Sequence, residues 1–294
     1  MHFFITKTGT VNTTRTLSKI LPLLLCAVVH TTDTPAQQPF SNSHSEAICG
    51  ATSCETGFNS VGLNPAGASC SKAGLSASYN NRFFMKELSQ KSAAAALPTA
   101  TGTFTSTFNY YGFQLFNQIK ASLGYAMKLT DNICAGATAN YHSTHIDDTP
   151  DHLRTATGDI GLIAKPHKKL RIGFFIENIT NSQYRTGDTI IPVRIQTGIQ
   201  YILYGGHRII IDIEKTNMDS EILVHGAVTS PLNDKISIMA GIHTLPLTIG
   251  AGTEFHLGKL LMTFAAKRTE YLGWITSATV GWCMGERESA RKEQ

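Results

Sequence analysis

Charged side chains make up only 16% of this 294-residue chain, so their placement is informative. Arg171, Arg194, Arg208, Asp212, Glu214, Glu254 and Lys267 are spread through the back half, each beside at least one apolar residue. Charges set in this way can pair across neighbouring strands, line a solute path or dock an inserted segment, and each of these needs one polar face shared by several strands. A second group, His142, His145, Asp147 and Asp148 with His152 following, has the donor types that hold a divalent cation. It falls at a strand end and in a long loop, where a hydrated surface is the plainer reading. Cys49 and Cys54 are close enough in sequence for a bridge in an oxidising compartment. His44 is the only histidine near them, so no zinc site is expected. Phosphate-binding, dinucleotide-binding and nucleophile motifs are absent, which leaves no catalytic residue, no cofactor and no enzyme to expect. The net charge of +4 comes from scattered Lys and Arg, without a patch suited to nucleic acid.

The elements that must position these side chains are strands. In Arg208–Glu214, Ile209, Ile211 and Ile213 fall on one face, and Arg208, Asp212 and Glu214 on the other. The same alternation recurs in Ile119–Lys128, Leu170–Glu177, Val193–Tyr201, Ile236–His243, Leu260–Lys267 and Trp274–Trp282. About fourteen strands are expected, near 73–84, 88–97, 102–112, 118–128, 132–146, 156–165 and 169–178. They continue near 191–203, 207–215, 220–229, 235–244, 246–256, 259–268 and 273–283. The Ala93–Ala96 run taken alone would be assigned to a helix. Links between strands sort by parity: those at 129–132, 166–168, 204–206, 230–234 and 257–258 are tight, whereas the alternate series holds the two longest, at 147–155 and 179–190.

A soluble sandwich turns its apolar faces inward, whereas a membrane barrel turns them to lipid and its polar faces to a lumen. Strands of about ten residues, the length that crosses a tilted bilayer span, favour the barrel. So do polar faces rich in Gly, Ser and Thr, aromatics gathered toward strand ends, and loops short at one end and long at the other. At the N-terminus, Lys7, Arg15 and Lys19 precede the apolar run Ile20–Val29, and Thr34-Pro-Ala36 suits cleavage, so residues 1–36 read as a secretory signal. The fold class expected is all-β: a transmembrane antiparallel barrel of about fourteen strands over 73–284, followed by a charged tail at 285–294. Such a ring is wider than the eight-stranded barrels that fill their own interior. The non-strand segment 37–72 is the natural hatch.

That segment holds Asn59-Ser-Val-Gly-Leu-Asn-Pro-Ala-Gly-Ala68 directly ahead of the first strand. An "NPAG" element before a fourteen-stranded barrel resembles the FadL-like outer-membrane proteins, and most of all their PorV/PorQ-type branch. The resemblance implies the outer membrane of a Gram-negative-type envelope, with membrane lipid around the barrel. It implies either passage of small hydrophobic molecules or, in the PorV-type role, partnership with a type IX protein secretion or surface-attachment machine. Asn64, Pro65, Ala66 and Gly67 would then belong to the hatch. In physical terms, Asn-Pro sets an extended or turn backbone at Asn64, and Gly67 permits a tight bend.

Overall fold

The computed structural model describes residues 39–147, 153–184, 191–218 and 220–284. The expected signal segment and charged tail lie outside the described residues, as do Asp148 and His152 of the histidine–aspartate group. Among the described residues fourteen strands form one closed antiparallel barrel. They are β1 (Gly74–Arg82), β2 (Met85–Pro98), β3 (Thr103–Gly112), β4 (Phe116–Thr130), β5 (Ile133–Ile146), β6 (Leu153–His167) and β7 (Leu170–Glu177). The ring continues with β8 (Arg194–Ile202), β9 (Arg208–Thr216), β10 (Leu223–Pro231), β11 (Ile236–His243), β12 (Thr248–Leu257), β13 (Leu260–Thr269) and β14 (Gly273–Cys283). Each strand pairs with its sequence neighbours, and β1 closes on β14 in a register running from Gly74 opposite Cys283 to Arg82 opposite Ile275. An even number of strands lets the first and last meet antiparallel, so no edge is left unpaired. Ala93–Ala96 lies in β2, paired to both β1 and β3: the sheet's ladder overrides the helix preference of an alanine run.

The expected loop parity is present. One rim carries the tight links 131–132, 168–169 and 258–259, together with 99–102, 203–207 and 232–235, and both barrel termini lie on it. The opposite rim carries the long links 147–152 and 178–193. It also carries a two-residue turn at Phe83 and Phe84, both at positive φ (58° and 57°), where bulky side chains are strained.

The outer surface is that of a membrane protein. Leu75 and Leu97 are each 62% exposed and Leu123 is 71% exposed, and outward Ile, Val, Phe and Leu residues continue around the ring. So broad an apolar surface is not tolerated against water. Trp282, Tyr201 and Tyr204 stand outward near the tight-link rim, and Trp274, Tyr271 and Phe84 near the other, in two aromatic girdles.

Inside the ring sits the N-terminal segment. It holds one short helix, α1 (Ser43–Ala47), started by Asn42, whose side chain accepts from the Ser45 backbone N–H. Single 3-10 turns follow at Phe58–Ser60 and Pro65–Cys70. Ser43, Ala47, Ile48, Ala51, Ser53 and Cys54 have no exposed surface, so this plug is enclosed by the wall rather than resting on a rim.

Candidate functional site

A plug inside a barrel raises the question of what its exposed backbone meets, because its few hydrogen bonds to itself leave many groups to satisfy. Part of the answer is glycine. The inward-facing Gly136, Gly161, Gly173, Gly241, Gly250 and Gly252, drawn from β5, β6, β7, β11 and β12, form a seat for the plug's main chain. A Cβ on Gly136 would stand 2.5 Å from the Pro65 carbonyl, one on Gly250 2.7 Å from Cys49 Sγ, and one on Gly252 2.6 Å from Ala47 Cβ. At Gly161, Gly173 and Gly241 a Cβ would run into Asn64 Oδ1, the Ser53 carbonyl and the Ile48 backbone. Glycine is needed here for close approach, not for turning.

The expected hatch element is the elbow of this plug. Asn64 is fully buried. Its Oδ1 accepts from Ala66 N at 3.0 Å, and its Nδ2 donates to the Ser53 carbonyl at 2.5 Å and, at 3.4 Å, to the Phe174 carbonyl of β7. Pro65 follows as the first residue of its 3-10 turn, where a missing N–H costs nothing. Ala66 packs on Ile163 and Cys134. Gly67 lies inside the 3-10 turn, its N–H donating to the Asn64 carbonyl at 3.1 Å. Its backbone accepts no unusual φ; its lack of a side chain admits the Glu55 carbonyl and Ser60 instead.

The seven inward charges divide into two groups. Five meet the plug. Asp212 accepts from Ser53 N (2.8 Å) and Ser53 Oγ (2.7 Å), and Arg171 donates to Thr56 Oγ1 at 3.1 Å. Arg208 pairs with Glu55 at 3.3 Å, Lys267 with Glu46 at 2.5 Å, and Glu254 with His44 at 3.3 Å. Arg194 and Glu214 instead belong to a chain across the wall toward the long-loop rim: Lys120–Glu177 at 2.7 Å, Glu177–Arg194 at 2.7 Å and Arg194–Glu214 at 3.5 Å. Glu214 continues to His225 at 3.4 Å, and His225 Nδ1 meets the Cys49 carbonyl at 2.8 Å, so the chain also ends on the plug.

Below that chain lies a buried cluster within the plug. His44 Nε2 is 3.3 Å from Glu55, and Asn59 Nδ2 donates to Glu254 at 2.8 Å. Burial disfavours the charged form of His44, but Glu55 and Glu254 outweigh it and hold the imidazole pKa up at about 9. Burial opposes ionisation of Glu55 as well, yet Arg208 and His44 hold that carboxyl down at about 2. The sequence reading missed His44, Glu46, Glu55, Lys120 and Glu177. Lys120 and Glu177 could have been found from the polar face of their strands. The plug residues carry no periodic signal at all.

Two other expectations change. Cys49 and Cys54 are free thiols and form no bridge. Cys54 Sγ donates to the Gly198 carbonyl of β8 at 3.3 Å, whereas Cys49 Sγ faces Gly250 of β12, so the intervening turn points them at different strands. His142 turns inward and meets Thr157 Oγ1 at 2.9 Å instead of lying on the hydrated surface expected for the histidine–aspartate group.

Apolar packing splits the plug into unequal contacts. Ala47, Ile48 and Ala51 pack on Ile210, Ala227, Met239 and Ala265 of β9–β13. On the other side Phe40, Val61 and Ala68, with Phe58 and Leu63, pack on Ala94, Ala96 and Ala126 of β2 and β4. Outside this second patch of wall lies an apolar groove of about 900 Å³. Its rim is Leu75, Leu97, Phe104, Leu123, Tyr125 and Trp282, and its floor is formed by Ala95, Ser106, Ala137 and Ala139.

No family model matches the sequence, and no curated protein matches it. By shape the chain is similar to a Pseudomonas aeruginosa FadL homologue, with a TM-score of 0.62 at 10% identity over 86% of this chain and 100% of that one. It is equally similar to the Ralstonia pickettii toluene transporter TbuX, with a TM-score of 0.62 at 10% identity over 86% and 100%. The Pseudomonas putida toluene transporter TodX matches with a TM-score of 0.60 at 9% identity over 85% and 98%. At such identities the likeness speaks for the fold, and the closed, plugged fourteen-stranded barrel described above is FadL-like in architecture.

Proposed function

We propose that this protein is a non-enzymatic, FadL-like outer-membrane channel that passes small hydrophobic molecules, gated by the plug and its Asn64–Gly67 elbow. In this reading residues 1–36 are a cleaved signal peptide, and the barrel sits in the outer membrane of a Gram-negative-type envelope. One observation carries it. At β2–β4 the Phe40–Val61–Ala68 plug contact packs on inward Ala94, Ala96 and Ala126, beside the inward Thr103 and Thr107 of β3, and the 900 Å³ apolar groove lies on the outer face of the same strands. The other apolar contact, of Ala47, Ile48 and Ala51 with β9–β13, has no such groove behind it among the described residues. A hydrophobic solute released beside Val61 has its nearest apolar surroundings across that wall, in lipid. Two of the similar structures are toluene transporters, which supports the same solute class.

The test is accumulation of radiolabelled toluene and of a long-chain fatty acid by cells carrying the full chain, beside the groove-filling variant Ala137→Trp. Uptake above that of cells lacking the protein, reduced several-fold by Ala137→Trp, is expected; equal uptake in all three would refute the reading. The PorV/PorQ-type alternative, a secretion or surface-attachment component, rests on the NPAG element alone and has no feature of the barrel in its favour. Stable co-purification with other envelope proteins, without hydrophobic uptake, would revive it.

A further inference from the structure

Cys70 ends the plug's last 3-10 turn, and Cys134 is the second residue of β5. Cys70 packs against the cluster of Cys134, Ala66 and Ile163 at the tight-link rim. Both cysteines are free thiols. Lys165 Nζ, from the end of β6, stands 3.9 Å from Cys70 Sγ, and Ser69 Oγ stands 3.8 Å away. Cys70 is half-buried, while Cys134 is only 2% exposed. One sulfur is thus reachable from the rim and the other is shielded behind it, the layout of an attacking and a resolving thiol. The neighbouring Cys134 side chain, working against burial and aided by Lys165 and Lys128, holds the Cys70 thiol below its ordinary range. Cys49 and Cys54 lie deeper, and burial pushes them up to about 11 and about 12.

We propose that Cys70 and Cys134 are a redox pair whose disulfide staples the end of the plug to the barrel wall. The oxidant is a dithiol–disulfide partner or glutathione disulfide. The Cys70 thiolate attacks one oxidant sulfur, its S–S bond breaks, and one oxidant thiolate leaves. Cys134 then gives its proton to solvent and attacks Cys70 Sγ, expelling the second oxidant thiolate. Two cysteine thiols are oxidised, one oxidant disulfide is reduced to two thiols, and two protons are transferred. The staple pins the Pro65–Cys70 turn to β5, while Phe40–Ala47 stays held only by non-covalent contacts, the Phe40 and Ala47 packing, hydrogen bonds and ion pairs. The oxidised plug can then open at its N-terminal half alone. The inference rests on the export reading for its oxidising compartment, but its readout needs no transport.

The experiment uses the full chain folded in detergent, incubated with glutathione disulfide, capped with N-ethylmaleimide and mapped as unreduced peptides by mass spectrometry. A Cys70–Cys134 linked peptide that disappears on reduction is expected, with Cys49 and Cys54 capped only after unfolding. In Cys134→Ser, Cys70 should accumulate as its glutathione mixed disulfide for want of a resolving thiol. Cys70 capped or glutathionylated in the unaltered protein, without the linked peptide, overturns the proposal whether or not the variant folds. Uptake of hydrophobic solutes can fail or succeed independently of this map.

Discussion

Glu55 has two cationic partners, Arg208 on the wall and His44 in the plug, and almost no water. Replacing it by glutamine leaves a buried imidazolium and a partly exposed guanidinium facing a neutral amide. Removing one member of a buried ion pair costs about 3–5 kcal/mol when no water intrudes, and Arg208, which is partly exposed, brings that toward the lower end. Glu55→Gln should therefore loosen the plug, seen as faster amide exchange at residues 43–56 with barrel exchange unchanged. Unchanged plug exchange would remove the cluster's role. The pH dependence follows from two opposed shifts. The Glu55 carboxyl is depressed, so its contribution is complete above its ordinary value of 4.5 and is lost as pH falls toward 2. The His44 imidazole is raised, so its contribution is complete below 6.5 and is lost as pH rises through 9. Plug protection should peak between pH 4.5 and 6.5 and decline on both sides; a monotonic profile would contradict this. Gly173→Ala tests the seat independently, because the new methyl group would occupy the place of the Ser53 carbonyl. The barrel should still form while residues 50–56 become open to added protease.

Among the elements, β9 shows how sequence and structure relate. Its alternation fixed Ile209, Ile211 and Ile213 as lipid-facing and Asp212 and Glu214 as inward, and the strand is built that way. Ile210, between them, also faces inward and is fully buried, which a plain two-faced reading does not explain. It is apolar because Ile48 and Ala51 of the plug lie against it. Met239, Ala265 and Ala227 are inward and apolar for the same reason. Period-two patterning reports which face a side chain takes, and the strands were therefore legible; it does not report what the inner face touches. The plug itself has no repeating pattern, only one capped turn of helix and two 3-10 turns, so its partners came into view only with the fold. The Gly-rich inner faces were visible as composition, and their use as a seat was not. Ile210→Ala should cost about 2–4 kcal/mol, as for a large-to-small change at a packed site. It should lower plug protection on the β9–β13 side while leaving the Val61 side unaffected, a pattern readable by the same exchange measurement.

At the scale of the molecule, fourteen strands enclose a lumen that their side chains alone do not fill, and residues 39–72 occupy it. The occupation is uneven. Toward β6–β13 the plug is held by glycine contacts, ion pairs and the Ile48–Ile210 apolar cluster, and toward β2–β4 by small apolar side chains with an apolar groove behind them. Deleting residues 39–72 should turn an electrically quiet barrel into an open pore in planar bilayers; an unchanged conductance would mean that the plug does not close the lumen. Lateral passage is tested most directly by photolabelling the purified protein with a diazirine analogue of toluene and mapping the adducts. Labels on Phe58–Ala68 of the plug and on inward Ala94 and Ala126, competed away by unlabelled toluene, are the expected result. Labels confined to outward residues such as Leu123 and Ile211, insensitive to competition, would be those of any lipid-facing barrel and would contradict a hydrophobic path through this wall.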